Sequence, residues 1–286
     1  MNNSCPVPKG SLLIIGGAEN KEISNPPGQE QKPGIVNSGI LECFFKITPS
    51  NAPVIELITT AGSEDPENTF KEYKEIFESY GKCRVNHIHH NCRQEANTSD
   101  LTDRIKDAHG VFFTGGDQLK ITSVYGGTEM LRLIKERYIF ENFVIAGTSA
   151  GAMAMSTPMI YAGVGRNEMI AGNVKITTGL EFLKDVCIDT HFVDRGRFVR
   201  MAQVVATNPS IIGVGIEEDT AILVKDGVEA TVLGFGVVIV INAVNSSQTN
   251  VTEFDEERLI SIRGLHVDIL SKGEIYTVPQ MNPPHQ

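Results

Sequence analysis

Phe143-Val-Ile-Ala-Gly-Thr-Ser-Ala-Gly-Ala-Met-Ala-Met-Ser156 is the stretch whose reading decides the fold. An apolar run ends in Gly147-Thr148-Ser149-Ala150-Gly151 and passes into small, helix-tolerant residues, which predicts a strand, a tight turn and a helix in succession. In that context G-x-S-x-G has the form of a nucleophile elbow. The glycines permit a cramped turn, Ser149 is held above the strand end, and the next backbone N–H faces a developing oxyanion. A Gly/Ser-rich turn that only packs, or that holds a phosphate, shares this local sequence. The remainder of the chain therefore has to supply a base and an acid.

Upstream, Leu12 to Gly17, Pro53 to Ala61, Arg84 to His90 and Gly110 to Gln118 are short apolar or alternating runs with the pattern of strands in a parallel sheet. Helices are expected between them: Ile35, Val36, Ile40, Leu41, Phe44, Phe45 and Ile47 recur at helical spacing, Glu67 to Tyr80 is amphipathic and stopped by Gly81, Ser99 or Asp100 caps a helix to about Ala108, and Thr128 to Tyr138 forms another. Strand and helix alternating five times predict an α/β fold with a doubly wound, mostly parallel sheet. Such sheets bind ligands at the carboxyl ends of their strands, where the elbow and Thr114-Gly115-Gly116-Asp117-Gln118 both fall. Glu22 to Pro33 reads as a surface loop.

Downstream, Val186 to Arg200 begins as a strand and ends as a helix start. Ile211 to Asp219, Thr220 to Val224, Ala230 to Gly234 and Val237 to Ile241 read as consecutive antiparallel strands, followed by a polar loop from about Asn245 to Glu257. Arg263 to Leu270 and Glu274 to Val278 are expected to close as a hairpin through Lys272-Gly273, leaving a loose tail. No repeat or linker divides the chain, so residues 1–286 are expected to form one domain.

With 41% hydrophobic residues among 286, the chain can bury one substantial core. Its formal net charge of -10 argues against general binding to nucleic acid or anionic membranes and favours a cationic substrate. Met1 to Lys9 lacks the features of a signal peptide and no apolar run reaches bilayer length, which predicts a cytoplasmic protein. Five scattered cysteines without a C-x-x-C pattern fit reduced thiols. Cys83, His87, His89 and Cys92 lie near one another in sequence, but consecutive strand residues do not converge on one ion, so no metal is expected. Gly16-Gly17-Ala18-Glu19 falls short of G-x-G-x-x-G, so no dinucleotide cofactor is expected either.

A serine nucleophile needs a histidine within hydrogen-bond reach and a carboxylate to orient it. Of the seven histidines, His191 alone lies in a strand-end cluster, beside Asp189, Asp194 and the arginines at 195, 197 and 200, and it is the candidate base. For the acid, Glu217 and Glu218 both emerge at the end of an apolar strand, on opposite faces, and spacing does not choose between them; Glu168, Asp189 and Asp194 are rivals. The order Ser, His, Glu differs from that of α/β-hydrolases, and no H-G-G-G loop is present.

Gly-Gly-Ala-Glu at 16–19, Thr-Gly-Gly-Asp-Gln at 114–118, Gly-Thr-Ser-Ala-Gly-Ala at 147–152, Asp-x-His-Phe-x-x-Arg-x-Arg from Asp189 to Arg197, and Gly-Ile-Glu-Glu-Asp-Thr-Ala at 215–221 together resemble the cyanophycinases, grouped with the aspartyl dipeptidases. The resemblance runs over most of the chain with its motifs in register. It implies a sheet similar to that of class I glutamine amidotransferases, a flavodoxin-like arrangement with antiparallel strands at the C-terminal end. It implies Ser149 as nucleophile, His191 as base, Glu218 as orienting acid, and an oxyanion hole from the N–H groups of Gly115, Gly116 and Ala150. Asp117, Gln118, Asp189, Thr190, Arg195, Arg197 and Arg200 fall at substrate-pocket positions, where the arginines would clamp carboxylates. Thr190 departs from the glutamine common in the family, which bears on substrate identity. The implied activity is exopeptidase cleavage of cyanophycin, multi-L-arginyl-poly-L-aspartate, to β-Asp-Arg dipeptides by a homodimer without cofactor. The alternatives are hydrolysis of small aspartyl or isoaspartyl peptides, and a non-catalytic amidotransferase-like binding protein.

Overall fold

A computed structural model describes residues 6–21, 38–62, 64–163, 165–253 and 258–278. The expected loop from Glu22 to Pro33, the helical positions Ile35 and Val36, part of the polar loop at 254–257 and the tail beyond Val278 lie outside the described residues. Five strands run parallel: β1 (Ser11–Ile15), β2 (Val54–Ile58), β3 (Arg84–Ile88), β4 (Gly110–Phe113) and β5 (Val144–Thr148), in the spatial order β1-β5-β4-β2-β3. Because successive strand residues face opposite sides, Leu13 and Ile15 join one core and Leu12 and Ile14 the other. The first core is closed by α1 (Ile40–Ile47) and α2 (Pro66–Tyr80), the second by α3 (Ser99–Asp107), α4 (Gln118–Tyr125) and α5 (Glu129–Phe140). This is the doubly wound arrangement. Capping fixes where two helices begin: Asp65 accepts the Asn68 N–H ahead of Pro66 in α2, and Thr128 accepts the Leu131 N–H in α5.

The chain after β5 departs from a simple antiparallel succession. Between the four-residue helix α6 (Ala150–Met153) and α7 (Phe198–Thr207) lies β6 (Val186–Thr190); β7 (Ile212–Ile216), β8 (Thr220–Lys225), β9 (Glu229–Gly234), β10 (Val238–Asn242), β11 (His266–Leu270) and β12 (Ile275–Thr277) follow. β8, β9 and β12 extend the first sheet antiparallel beyond β1. β11-β10-β7-β6 form the main part of a second sheet, in which β6 and β7 are parallel and which the two-residue strands Ser156–Thr157 and Leu183–Lys184 continue beyond β6. The expected pairing of the strand ending at Ile216 with the one starting at Thr220 is corrected, because Glu217 to Asp219 hands the chain from the second sheet to the first. The expected closing hairpin is corrected too: β11 pairs with β10 and β12 with β9, one in each sheet. Val214, Ile216, Val238 and Val240 of the second sheet share a core with Ile222, Val224 and Val232 of the first. The other face of the second sheet is covered by Met201, Val204 and Val205 of α7 against Cys187 and Ile241. Among the described residues, no helix is long and apolar enough to cross a membrane.

Candidate active site

The elbow is built by close approach of strand and helix. A Cβ at Gly151 would lie 2.3 Å from the Phe113 carbonyl oxygen, so only glycine lets α6 start this near β4. Ser149 occupies the turn with φ 52° and ψ −114°, a conformation that costs a non-glycine residue about 1 to 3 kcal/mol and is held by the surrounding sheet. Its hydroxyl lies 2.9 Å from His191 Nε2, and His191 Nδ1 lies 2.5 Å from Glu218 Oε1. A carboxylate only accepts, so a hydrogen on Nδ1 donates to Glu218 and leaves the Nε2 lone pair to accept from the Ser149 hydroxyl. In this arrangement an imidazole can take the serine proton.

The turn after β1 holds all three parts together. The carbonyl of Ile15 accepts the Ser149 N–H at 3.0 Å, that of Gly16 accepts the His191 N–H at 2.9 Å, and that of Gly17 accepts the N–H of Asp219, next to Glu218, at 2.9 Å. Three successive carbonyls thus fasten segments from three distant parts of the chain. Gly17 has φ 101°, and a Cβ there would lie 2.4 Å from Cε1 and Nε2 of His191. Glu217, the rival acid, turns elsewhere: its carboxylate accepts the N–H groups of Val193 at 2.5 Å and Asp194 at 3.2 Å, fastening the loop that follows His191. In the sequence Gly16-Gly17 is an unfulfilled nucleotide motif and part of the family resemblance, with no role given to its carbonyls; the signal was the pair of glycines directly after the first strand.

Gly115 lies against Ser149, with space for a Cβ only 3.3 Å from that of the serine. Gly116 follows with φ 140°. Asp117 is the N-cap of α4, its carboxylate accepting the Leu119 N–H at 2.8 Å, and Gln118 donates to the Ile160 carbonyl at 2.8 Å. Beyond His191, two of the three arginines expected to clamp substrate carboxylates are engaged within the chain. Arg200, buried like Asp189, gives that carboxylate a two-point contact through Nε at 2.5 Å and Nη2, and Arg197 adds a third contact at 3.1 Å. A buried carboxylate requires such partners, so two of the arginines serve Asp189 first. Burial, opposed by Asp189, lowers the Arg197 guanidinium from its usual range, while Arg195 is exposed. Thr190 is fully buried and its hydroxyl has no partner, so its side chain packs rather than lining an open pocket. Glu168, another rival acid, lies near this cluster, and burial raises its carboxyl above the ordinary range despite Arg200.

A pocket of about 300 Å³ opens beside Ser149 and His191 on the side of α2. Its wall includes Glu19, the last residue of the Gly-Gly-Ala-Glu motif and one with no role assigned from sequence, with Lys21, Thr69 and Tyr73. Glu19 is 5% exposed; Thr148 Oγ1 donates to its Oε2 at 2.6 Å and the Tyr73 hydroxyl donates to its Oε1. Burial first, and Glu19 second, raise the Tyr73 phenol well above its usual range. The histidines of β3 and the loop after it lie elsewhere: Thr59 Oγ1 is 2.7 Å from His87 Nε2 and 3.0 Å from His89 Nδ1, and Phe70 stacks on the His87 ring.

Known proteins are similar to this chain in sequence and in fold. The chain is 32% identical over 273 residues to a cyanophycinase of Trichormus variabilis, covering 95% of this chain and 87% of that one. It is 30% identical over 270 residues to a cyanophycinase of Synechococcus elongatus, covering 94% and 80%. A crystal structure of a peptidase from an acI-B1 actinobacterium superposes with a TM-score of 0.63 at 20% identity over 95% of this chain and 98% of its own, sharing the fold. The model of peptidase family S51 matches residues 32–232, a span that carries Ser149, His191 and Glu218. On that match and those relatives, the chain belongs to peptidase family S51 and is a serine-type peptidase.

Proposed function

We propose that this peptidase is an exopeptidase that hydrolyses cyanophycin at its aspartyl backbone and releases β-Asp-Arg dipeptides through an acyl-enzyme on Ser149. The observation that carries the reading is the continuous relay from Ser149 through His191 to Glu218, at 2.9 and 2.5 Å. His191 Nε2 takes the proton as Ser149 Oγ attacks the scissile carbonyl, and Glu218 steadies the imidazolium. The N–H groups of Ala150, Gly115 and Gly116 receive the oxyanion. The tetrahedral adduct collapses as His191 returns the proton to the leaving amine; water, activated by the same imidazole, then releases the acyl group. In this reading Gln118, Arg195 and Arg197 meet the substrate's carboxylates, Asp189 and Arg200 hold Arg197 in place, and Asp117 and Thr190 support the pocket.

The similarity to cyanophycinases supports this substrate, and the acidic net charge of -10 suits an arginine-rich polymer. Ser149→Ala is expected to abolish dipeptide release from cyanophycin granules while leaving the melting temperature within about 2 °C, as expected for a single-atom change in a site of this size. Dipeptide release by that variant at the wild-type rate refutes the mechanism. The engagement of Arg197 and Arg200 with Asp189 favours a second reading, hydrolysis of small aspartyl peptides that need no extended clamp. Granules left intact alongside rapid cleavage of α-Asp or iso-Asp dipeptides would select it.

A further inference from the structure

The 300 Å³ pocket on the α2 side contains an electrostatic imbalance that the relay does not use. Glu19 is almost wholly removed from water, yet its carboxylate receives only two neutral hydroxyls and forms no ion pair among the described residues. Neutral donors stabilise a buried carboxylate without cancelling its charge, so the wall they support presents negative potential to whatever enters. At the exposed rim the sign reverses. Lys21 Nζ lies 4.5 Å from the centre of the Tyr73 ring and 3.4 Å from Glu72, in an ion pair whose side chains are 39% and 48% exposed. Such a pair is weak and gives up its lysine readily to a better-placed anion. A ligand group carrying a cation at its tip and a carboxylate at its base matches this order of charges.

We propose that this pocket is an arginyl subsite, in which Glu19 receives a guanidinium and Lys21 the arginine α-carboxylate. The inference rests on the substrate reading above: in cyanophycin each arginine is joined through its α-amino group, leaving both its guanidinium and its carboxylate free. The lining of the subsite includes Ser149 and His191 but none of Asp189, Arg197 and Arg200, and it selects by charge. Thr148 couples it to the chemistry, since the residue donating to Glu19 immediately precedes the nucleophile.

The test compares a β-Asp-Arg oligomer with the same oligomer built from citrulline, which keeps the shape of arginine but carries no charge and replaces one terminal amino group with a carbonyl oxygen. The wild-type enzyme is expected to favour the arginine oligomer about tenfold or more in kcat/KM. Glu19→Gln is expected to remove that preference by slowing only the arginine oligomer, and Lys21→Ala to raise KM severalfold for both with kcat unchanged. Equal wild-type rates on the two oligomers overturn the subsite, and this measurement needs no variant to fold. Equal slowing of both by Glu19→Gln also overturns it, reducing Glu19 to a brace for Thr148 and Tyr73. If the wild-type enzyme cleaves neither oligomer while Ser149 still reacts with a fluorophosphonate, the cyanophycin reading falls and the subsite falls with it.

Discussion

Replacing Gly17 with alanine tests the construction of the site without touching any reacting group. The new Cβ would lie 2.4 Å from His191 Cε1 and Nε2, about 1 Å short of an ordinary contact, and Nε2 is the atom 2.9 Å from the Ser149 hydroxyl. The Gly17 backbone is itself hydrogen-bonded to Asp219, so the imidazole is the part that moves. Displacing it by about 1 Å breaks the contact with Ser149 or with Glu218, and a misplacement of that size lowers turnover by roughly 10²-fold. Alanine at φ 101° also costs about 1 to 3 kcal/mol of backbone strain, a fall of a few degrees in Tm. Gly273→Ala separates the two effects: φ there is 89° and a Cβ meets nothing within 4 Å, so it is expected to lower Tm with no change in reactivity. The assay is the rate at which a fluorophosphonate labels Ser149, read beside thermal melts of both variants. Wild-type labelling by Gly17→Ala would falsify the account of the turn after β1 as the clamp of the site.

Asp189→Asn is expected to destabilise the fold by about 3 to 5 kcal/mol, since it leaves the buried Arg200 and half-buried Arg197 guanidiniums without their carboxylate; urea unfolding measures it, and a loss under about 1 kcal/mol contradicts the burial argument. The raised carboxyl of Glu168 predicts a pH effect of definite sign. The folded chain keeps this proton where the unfolded chain has released it, so its contribution is fully present below pH 4.5 and is lost as pH rises through the folded value. Melting curves of Glu168→Gln should therefore gain on wild type as pH rises from 4.5 to 8, and a gap that stays constant with pH removes Glu168 as the cause.

The parallel half of the fold was legible because its strands are short apolar runs ending in glycine, separated by helices with clear periodicity and caps. The division into two sheets was not. β7 and β8 are buried on both faces, and a continuous apolar run records burial without recording which strand it pairs with. Helix α4 was missed because its apolar positions, Ile121, Val124 and Tyr125, span barely one turn; its best signal, Asp117 as N-cap, was read as a ligand residue instead. In the site, Ser149 and His191 could be singled out from local chemistry, but Glu218 and Glu217 differ only in which way the chain turns between the sheets. The contact of Arg200 with Asp189 was not legible, because sequence shows a charge and hides its burial. Glu19 was hidden for the opposite reason: its partners, Tyr73 and Thr148, are 54 and 129 residues away.

The division into two sheets also determines how this enzyme fails. Ser149 directly follows β5 of one sheet, His191 directly follows β6 of the other, and Glu218 lies on the link that joins them. A slip of about 0.5 Å between the layers is enough to spoil proton transfer, and it leaves every ladder within each layer intact. The peptidase is in that sense a vernier, its turnover reading the alignment of two scales. On warming, turnover is therefore expected to be lost before the protein melts, and a mutation far out in the shared core is expected to silence the serine without coming near it.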